Sequence, residues 1–394
     1  MTSTTLTPAI QPTRSWYARP SARSWTAVPT QGRHPRDFHA ELPGYAPTRL
    51  VEVPALAAEL GVDRVFVKDE SSRLGLPAFK ILGASWAIYR AVSEHYGVEA
   101  ASFDDLRDQI ANQIAGPADR HAGWSGGRSA VCLVTATDGN HGRAVARMAA
   151  LLGLPAHVFV PEGVHPAARA AIEAEGATVT HVAGPYDEAV RIAAESGGLL
   201  VQDTAWPGYE RIPQWIVDGY STLFAEIDDQ LREAGAEPAG LVAVPVGVGS
   251  LAQAAVTHYR RGQAAGAAPT LLAVEPATAA GVLHSLENGT PVTVPSGSTI
   301  MAGLNCPTPS SIAWPYLIGG LDAAVTVTDQ DAADAAHDLA SLGVPAGPCG
   351  AASLAGVRAA LTSDRRAALA SGHARTVVLL STEGAEANPA LATA

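Results

Sequence analysis

Lys80 stands in the run Lys68-Asp69-Glu70-Ser71-Ser72-Arg73-Leu74-Gly75-Leu76-Pro77-Ala78-Phe79-Lys80-Ile81-Leu82-Gly83-Ala84, after an apolar strand and at the start of a helix. An amine so placed suits Schiff-base chemistry, which needs the neutral form near neutral pH. Partial burial among Leu76, Phe79 and Ile81 is expected to lower its pKa in that direction. A lone lysine at a helix start is more often an ordinary surface residue. The chemical reading therefore depends on three further segments, far away in sequence.

The first is Thr135-Ala136-Thr137-Asp138-Gly139-Asn140-His141-Gly142-Arg143, between a strand and a helix. Its glycines permit a tight turn with backbone amides aimed at an anion, and Asn140 can hydrogen-bond a ring hydroxyl. Asp138 either caps the helix or, facing a reactive group, serves as an acid or base. The second is Gly247-Val248-Gly249-Ser250-Leu251, directly after an apolar strand ending at Pro245. Glycine lets the backbone approach a phosphate, and Ser250 adds a donor at the helix N-terminus. The loop lacks a P-loop lysine and dinucleotide spacing, so a phosphate monoester fits better than ATP or NAD. The third is Leu380-Ser381-Thr382-Glu383-Gly384, where a hydroxyl of Ser381 or Thr382 can meet a pyridine nitrogen or simply cap a helix.

These loops need an α/β scaffold, and from Leu50 onward apolar strand-like runs alternate with alanine-rich helical stretches. Strands are expected at 130–135, 156–160, 178–182 and 199–202, with helices from Gly142, over 166–175 and over 186–195. One long helix is expected from Pro213 to about Ala234, leading to a second lobe with strands at 240–245, 270–275, 324–327 and 376–380. The stretch 102–129, rich in Gly and Asp, gives no clear element. The first 36 residues contain no acid but carry Arg14, Arg19, Arg23 and Arg33 among Ser, Thr and Pro. That composition suggests a flexible extension, with order beginning near Phe38.

Composition narrows the partners. The 394 residues are 47% hydrophobic, yet no run reaches the ~18 apolar residues that span a bilayer. A net charge of -12 opposes nucleic acid and anionic lipid. Small molecules remain. Cys132, Cys306 and Cys349 show neither metal-ligand spacing nor a disulfide pattern, so a reducing cytoplasm is expected, with Cys306 and Cys349 as packing residues. His34, His39 and His165 show no metal-ligand arrangement, and His141 reads as structural.

Taken together, Asp69-Glu70-Ser71, Ala78-Phe79-Lys80, Asp138 to Arg143 and the later glycine loop resemble the fold type II (tryptophan synthase β-like) pyridoxal phosphate enzymes. Within that group the chain is most similar to the diaminopropionate ammonia-lyases. The segments carrying that likeness are Phe38-His39, Pro43 to Thr48, Gln202-Asp203-Thr204-Ala205-Trp206, Gly208-Tyr209, Ile212-Pro213, Trp215-Ile216, Thr299 to Leu304 and Ser381 to Gly384. Most serine and threonine dehydratases of the fold have a serine where this chain has Asp138. In contrast, Ala346 to Ser353 departs from the family's Gly-Glu-Ser-Gly loop, and the lost acid either alters substrate choice or is neutral.

The resemblance implies a two-domain α/β fold with parallel sheets flanked by helices. Residues 38–87 and 206–394 would form a large cofactor domain, 88–205 a small domain, and 1–37 the extension. It implies that Lys80, beside Phe79, carries pyridoxal 5'-phosphate, that Asn140 touches the ring oxygen, and that Gly247, Val248, Gly249, Ser250 and Leu251 wrap the phosphate. Ser381 or Thr382 would face the ring nitrogen. Lys80 would take the α-proton of L-2,3-diaminopropionate and Asp138 that of the D isomer, with Asp203 holding the distal ammonium or tuning Asp138. Pyruvate and two ammonia would result, in a homodimer without metal. A β-eliminase or β-replacement enzyme for another amino acid, and a cofactor-binding regulatory protein, stay as alternatives.

Overall fold

The computed structural model describes residues 15–28, 32–115, 129–261, 268–369 and 375–387. Among them the strands are β1 (Trp16–Ala18), β2 (Leu50–Glu52), β3 (Arg64–Asp69), β4 (Leu133–Ala136), β5 (Ala156–Val160), β6 (Thr178–His181), β7 (Leu199–Leu200), β8 (Leu241–Pro245), β9 (Thr270–Pro276), β10 (Ala323–Val327) and β11 (Thr376–Ser381). A seven-stranded sheet runs β1-β10-β9-β8-β11-β3-β2, parallel except for its antiparallel edges β1 and β2. A four-stranded parallel sheet runs β6-β5-β4-β7. Strands β8 to β11 are buried along their whole length, which is why they read as continuous Val, Leu and Ala runs: helices cover both faces of a parallel sheet.

The order of strands places the chemistry. Ligands of open parallel sheets bind beyond the carboxyl ends of the strands. Lys80 follows β3, the Asp138 loop follows β4, Asp203 follows β7, the glycine loop follows β8, and Ser381 closes β11. All of the segments expected to act together therefore leave the two sheets at the same kind of end.

Three expectations need correction. The stretch 102–129 contains a helix, Phe103–Ala115, that buries Phe103, Leu106 and Ile110 on one face; the rest of it, 116–128, lies outside the described residues. The long helix after Pro213 is two, Arg211–Gly219 and Ser221–Glu233, meeting at Tyr220. A Cβ on Gly219 would sit 2.4 Å from the Leu82 carbonyl oxygen, and one on Gly83 would sit 2.6 Å from the Tyr220 ring. The close crossing of Arg211–Gly219 over the Lys80 helix thus coincides with the break, a tertiary cause that periodicity does not carry.

The third concerns the amino-terminal residues. Arg14 is outside the described residues, but residues 15–28 are no free extension. Trp16, Tyr17 and Ala18 pair with Val325, Ala324 and Ala323. Arg23 donates to Asp322 Oδ1 at 3.0 Å and to Thr270 Oγ1 at 2.8 Å. Order begins at least at residue 15 because this segment covers an otherwise bare sheet edge.

Candidate active site

Lys80 is the first residue of the helix Lys80–Tyr96, and the segment before it is tied to the end of β11. The Glu70 amide donates to the Ser381 carbonyl at 2.9 Å, that of Phe79 to Thr382 at 3.2 Å, and that of Gly384 to Pro77 at 2.9 Å. Under the segment lies a charge cluster with no exposed side chain. Arg73 meets Glu70 and Glu226 at 2.7 Å each, and Lys68 meets Glu226 at 2.7 Å. Leu74 sits at φ 53, a left-handed conformation that such surroundings must hold.

The Lys80 ammonium donates to Asp203 Oδ2 at 2.8 Å. Burial does pull the lysine pKa down, as the sequence suggests. The charge of Asp203, helped by Tyr220 and Asp138, more than offsets it and carries the pKa well above the ordinary value. The expected neutral amine is therefore corrected: beside a free Asp203 carboxylate, Lys80 is a cation. Conversely, burial of Asp203 is outweighed chiefly by the charge and hydrogen bond of Lys80, which hold the carboxyl below its usual range. Asp138 opens to solvent, yet the protein atoms around it raise its pKa, with the Lys80 charge pulling the other way.

His141 is held by its ring. Nε2 lies 2.8 Å from the Val201 carbonyl, which can only accept, so Nε2 carries the proton. Burial lowers the His141 pKa and keeps the ring neutral. Nδ1 is left without a hydrogen bond, 3.9 Å from Asp203 Oδ2. Gln202 bridges this group to Tyr186: its Nε2 donates to the Tyr186 hydroxyl at 2.8 Å and to Asp203 Oδ1 at 3.3 Å. Tyr220 packs on Phe79 with ring centroids 4.7 Å apart.

Asn140 begins the helix Asn140–Leu152, and its Nδ2 donates to Glu383 Oε2 at 2.9 Å. Beyond β8, Gly249 takes φ 101 and delivers the chain into the helix Ser250–Tyr259. A Cβ at Gly249 would meet Leu317 at 2.7 Å, and one at Gly247 would lie 3.0 Å from the Gly303 carbonyl oxygen. The turn requires glycine at Gly249 and is tight at Gly247, and it leaves the first amides of the helix open to an anion. Leu251 is buried, Val248 accepts from the Ser310 amide at 2.8 Å, and Ser381 and Thr382 are buried at the end of β11. These parts fit a phosphorylated pyridine aldehyde: an amine for the carbonyl carbon, an amide cradle for the phosphate, and polar groups for the ring.

Cys306 and Cys349 both border the glycine loops, with burial pushing the Cys306 thiol up to about 12 and the Cys349 thiol well above its ordinary value. They are protonated packing groups, and no nucleophilic role falls to them. Gln202, Tyr186, Tyr220 and Glu383 are site residues that sequence reasoning left without roles. Gln202 and Glu383 flank Asp203 and Thr382 in sequence, which could have marked them, whereas Tyr186 and Tyr220 have only distant neighbours to mark them.

Residues 41–382 match the family described as pyridoxal-phosphate dependent enzyme. The diaminopropionate ammonia-lyase of Escherichia coli strain K12 is 36% identical over 295 residues, covering 73% of this chain and 69% of that protein. A crystal structure of the Escherichia coli enzyme with D-serine superposes with a TM-score of 0.80 at 29% identity, covering 95% of this chain and 94% of that one. Another, with an aminoacrylate-PLP azomethine reaction intermediate, gives 0.79 at 30% identity, with the same coverage.

Proposed function

The chain belongs to the pyridoxal-phosphate-dependent enzymes, and within them to the diaminopropionate ammonia-lyases; on that premise we propose that Lys80, Asp138 and Asp203 carry its reaction. The enzyme eliminates ammonia from 2,3-diaminopropionate, and hydrolysis of the product gives pyruvate and a second ammonia. Pyridoxal phosphate, when bound, supplies the electron sink that makes the substrate's α-proton acidic. The chain's own groups do the rest.

Lys80 holds the cofactor until substrate arrives, then takes the α-proton of the L isomer as a free amine. Asp138 serves as base for the D isomer; its raised pKa makes it a stronger base than an ordinary carboxylate. Asp203 faces the substrate's distal ammonium in place of the Lys80 charge it meets here. Phe79 would back the ring, Asn140 would donate to its oxygen, Ser381 or Thr382 would meet its nitrogen, and the amides of 247–251 would hold the phosphate. One observation carries this reading: Lys80 lies 2.8 Å from Asp203, and the field of Asp138 reaches both. Two carboxylates around one amine suit a substrate that brings a second cation.

Residues 38–87 and 206–394 act as the large domain around the seven-stranded sheet and 88–205 as the small domain. The protein works as a homodimer in the cytoplasm, by analogy with its family. No helix among the described residues is long and apolar enough to cross a membrane.

Pyruvate release from each enantiomer tests the reading. Lys80→Ala should lose both the visible absorbance of the bound cofactor and all turnover. Asp138→Asn should lose the D isomer while keeping L activity within a few-fold. Equal loss of both isomers would reassign Asp138, and turnover of neither enantiomer by the native enzyme would overturn the substrate.

A further inference from the structure

We propose that Glu383 is a positioning residue that fixes Asn140 in register with Lys80; the inference rests on the reading that Asn140 donates to the cofactor ring. Asn140 belongs to the loop after β4, in the four-stranded sheet, and Glu383 to the loop after β11, in the seven-stranded one. Their contact, Asn140 Nδ2 to Glu383 Oε2 at 2.9 Å, joins the two sheets across the site. Glu383 is only 5% exposed. A buried carboxylate held against the rest of the site is a stiff acceptor.

The contact determines which way the amide faces. The amide nitrogen, not its oxygen, faces Glu383, with Oε2 as the acceptor. The second Nδ2 hydrogen then points elsewhere and is the one free to meet an oxygen on the ring. Without Glu383 the amide loses the acceptor that fixes which of its ends faces the ring.

The backbone of the same residue locates Lys80. Ala78 and Glu383 form an antiparallel bridge, the Phe79 amide donates to Thr382 at 3.2 Å, and the Gly384 amide donates to Pro77 at 2.9 Å. The other carboxylate oxygen, Oε1, accepts the Cys349 amide at 3.3 Å at the start of the helix Pro348–Ala360, and the Cys349 thiol also bonds the carboxylate. Gly347 leaves the space that this requires, since a Cβ there would lie 3.0 Å from Oε1. One side chain is thus braced against the helix, clamps Asn140, and sits on the segment that presents Lys80.

The competing role is a plain helix cap, and two variants separate the roles. Glu383→Asp keeps a charge near the helix start but withdraws the carboxylate from Asn140. Glu383→Gln loses the charge and the acceptor of the Cys349 amide, yet can still accept from Asn140 through its amide oxygen. Apoenzyme of each is titrated with pyridoxal phosphate, following the visible band, and its melting temperature is recorded without cofactor.

Positioning predicts that Glu383→Asp weakens cofactor binding about tenfold and shifts the band, while Glu383→Gln stays within about threefold of native. In an Asn140→Ala background, Glu383→Asp should add no further loss. The reverse order, Asp native-like and Gln impaired, overturns the inference, as does a Glu383→Asp penalty that persists without Asn140. If Asn140→Ala itself binds cofactor like the native protein, the ring contact of Asn140 falls and this role with it. If Asn140→Ala is impaired and Glu383→Asp is native, the ring contact stands and only the role of Glu383 falls.

Discussion

At the residue scale the site is a balance between burial and charge, and Asp203 decides it. Burial favours a neutral Lys80, but a carboxylate at 2.8 Å favours the ammonium. Pyridoxal phosphate must be attacked by a neutral amine, so on the roles proposed above Asp203 slows loading of the apoenzyme even as it prepares the site for a cationic substrate. Asp203→Asn should therefore bring the Lys80 pKa down and speed the second-order rate of cofactor uptake near neutral pH. Its turnover of diaminopropionate should fall at the same time. Stopped-flow absorbance of apoenzyme mixed with pyridoxal phosphate measures the first effect, and a slower uptake in the variant would refute it. The placement of Lys80, Asp138 and Asn140 beyond strand ends was legible in the sequence because each lies in a short strand-loop-helix segment with a clear local pattern. The ionisation of Lys80 was not, since its partner lies 123 positions away.

At the element scale, the segment that leads to Lys80 rests on the buried group Lys68, Glu70, Arg73 and Glu226, with Thr48 and Tyr45 bonded to its carboxylates. Burial of Glu226 would raise its pKa, but Arg73 and Lys68 hold it down to about 2. A depressed carboxyl contributes stability that is full above the unfolded pKa of about 4.3 and is lost as pH falls toward the folded value. Glu226→Gln leaves Lys68 and Arg73 facing one buried charge instead of two. It should cost about 3–5 kcal/mol in denaturant unfolding, and the loss should shrink as pH falls from about 4 toward 2, because the unfolded native chain then takes up a proton on Glu226 that the folded one still refuses. A variant as stable as the native protein at neutral pH would show the cluster to be dispensable. The βα units themselves were readable from alternating apolar runs. The cluster was hidden, because Lys68, Glu70 and Arg73 look like an ordinary polar turn until Glu226 arrives from a helix 153 positions later.

At the scale of the whole molecule, the amino-terminal segment closes one edge of the larger sheet. β1 adds antiparallel to β10, and the Ser15 amide donates to Thr326 Oγ1 at 2.6 Å across 311 positions of sequence. Such a span explains why an arginine-rich, acid-free stretch reads as a loose extension: its partners lie near the other end of the chain. Asp322 binds the segment and the interior together, meeting Arg23 at 3.0 Å and the buried Arg260 at 2.5 Å. Trp25 then lies over Gly319 and Gly320, edge-on to Tyr316 with ring centroids 5.8 Å apart. A Cβ on Gly319 would sit 2.5 Å from the Trp25 ring, so Gly319→Ala must lift the indole from its seat. Overpacking of this kind costs about 1–3 kcal/mol. The displaced segment also uncovers the β10 edge, which invites pairing between molecules. Gly319→Ala should therefore melt at a lower temperature and scatter more light on heating, while Trp25→Ala/Gly319→Ala should melt no lower than Trp25→Ala alone. Initial turnover of both enantiomers at low temperature should stay near native, because the loops that carry Lys80, Asp138 and Asp203 leave β3, β4 and β7, none of which borders β10. A native melting temperature in Gly319→Ala would mean that the indole yields without cost and that the segment does not brace the sheet.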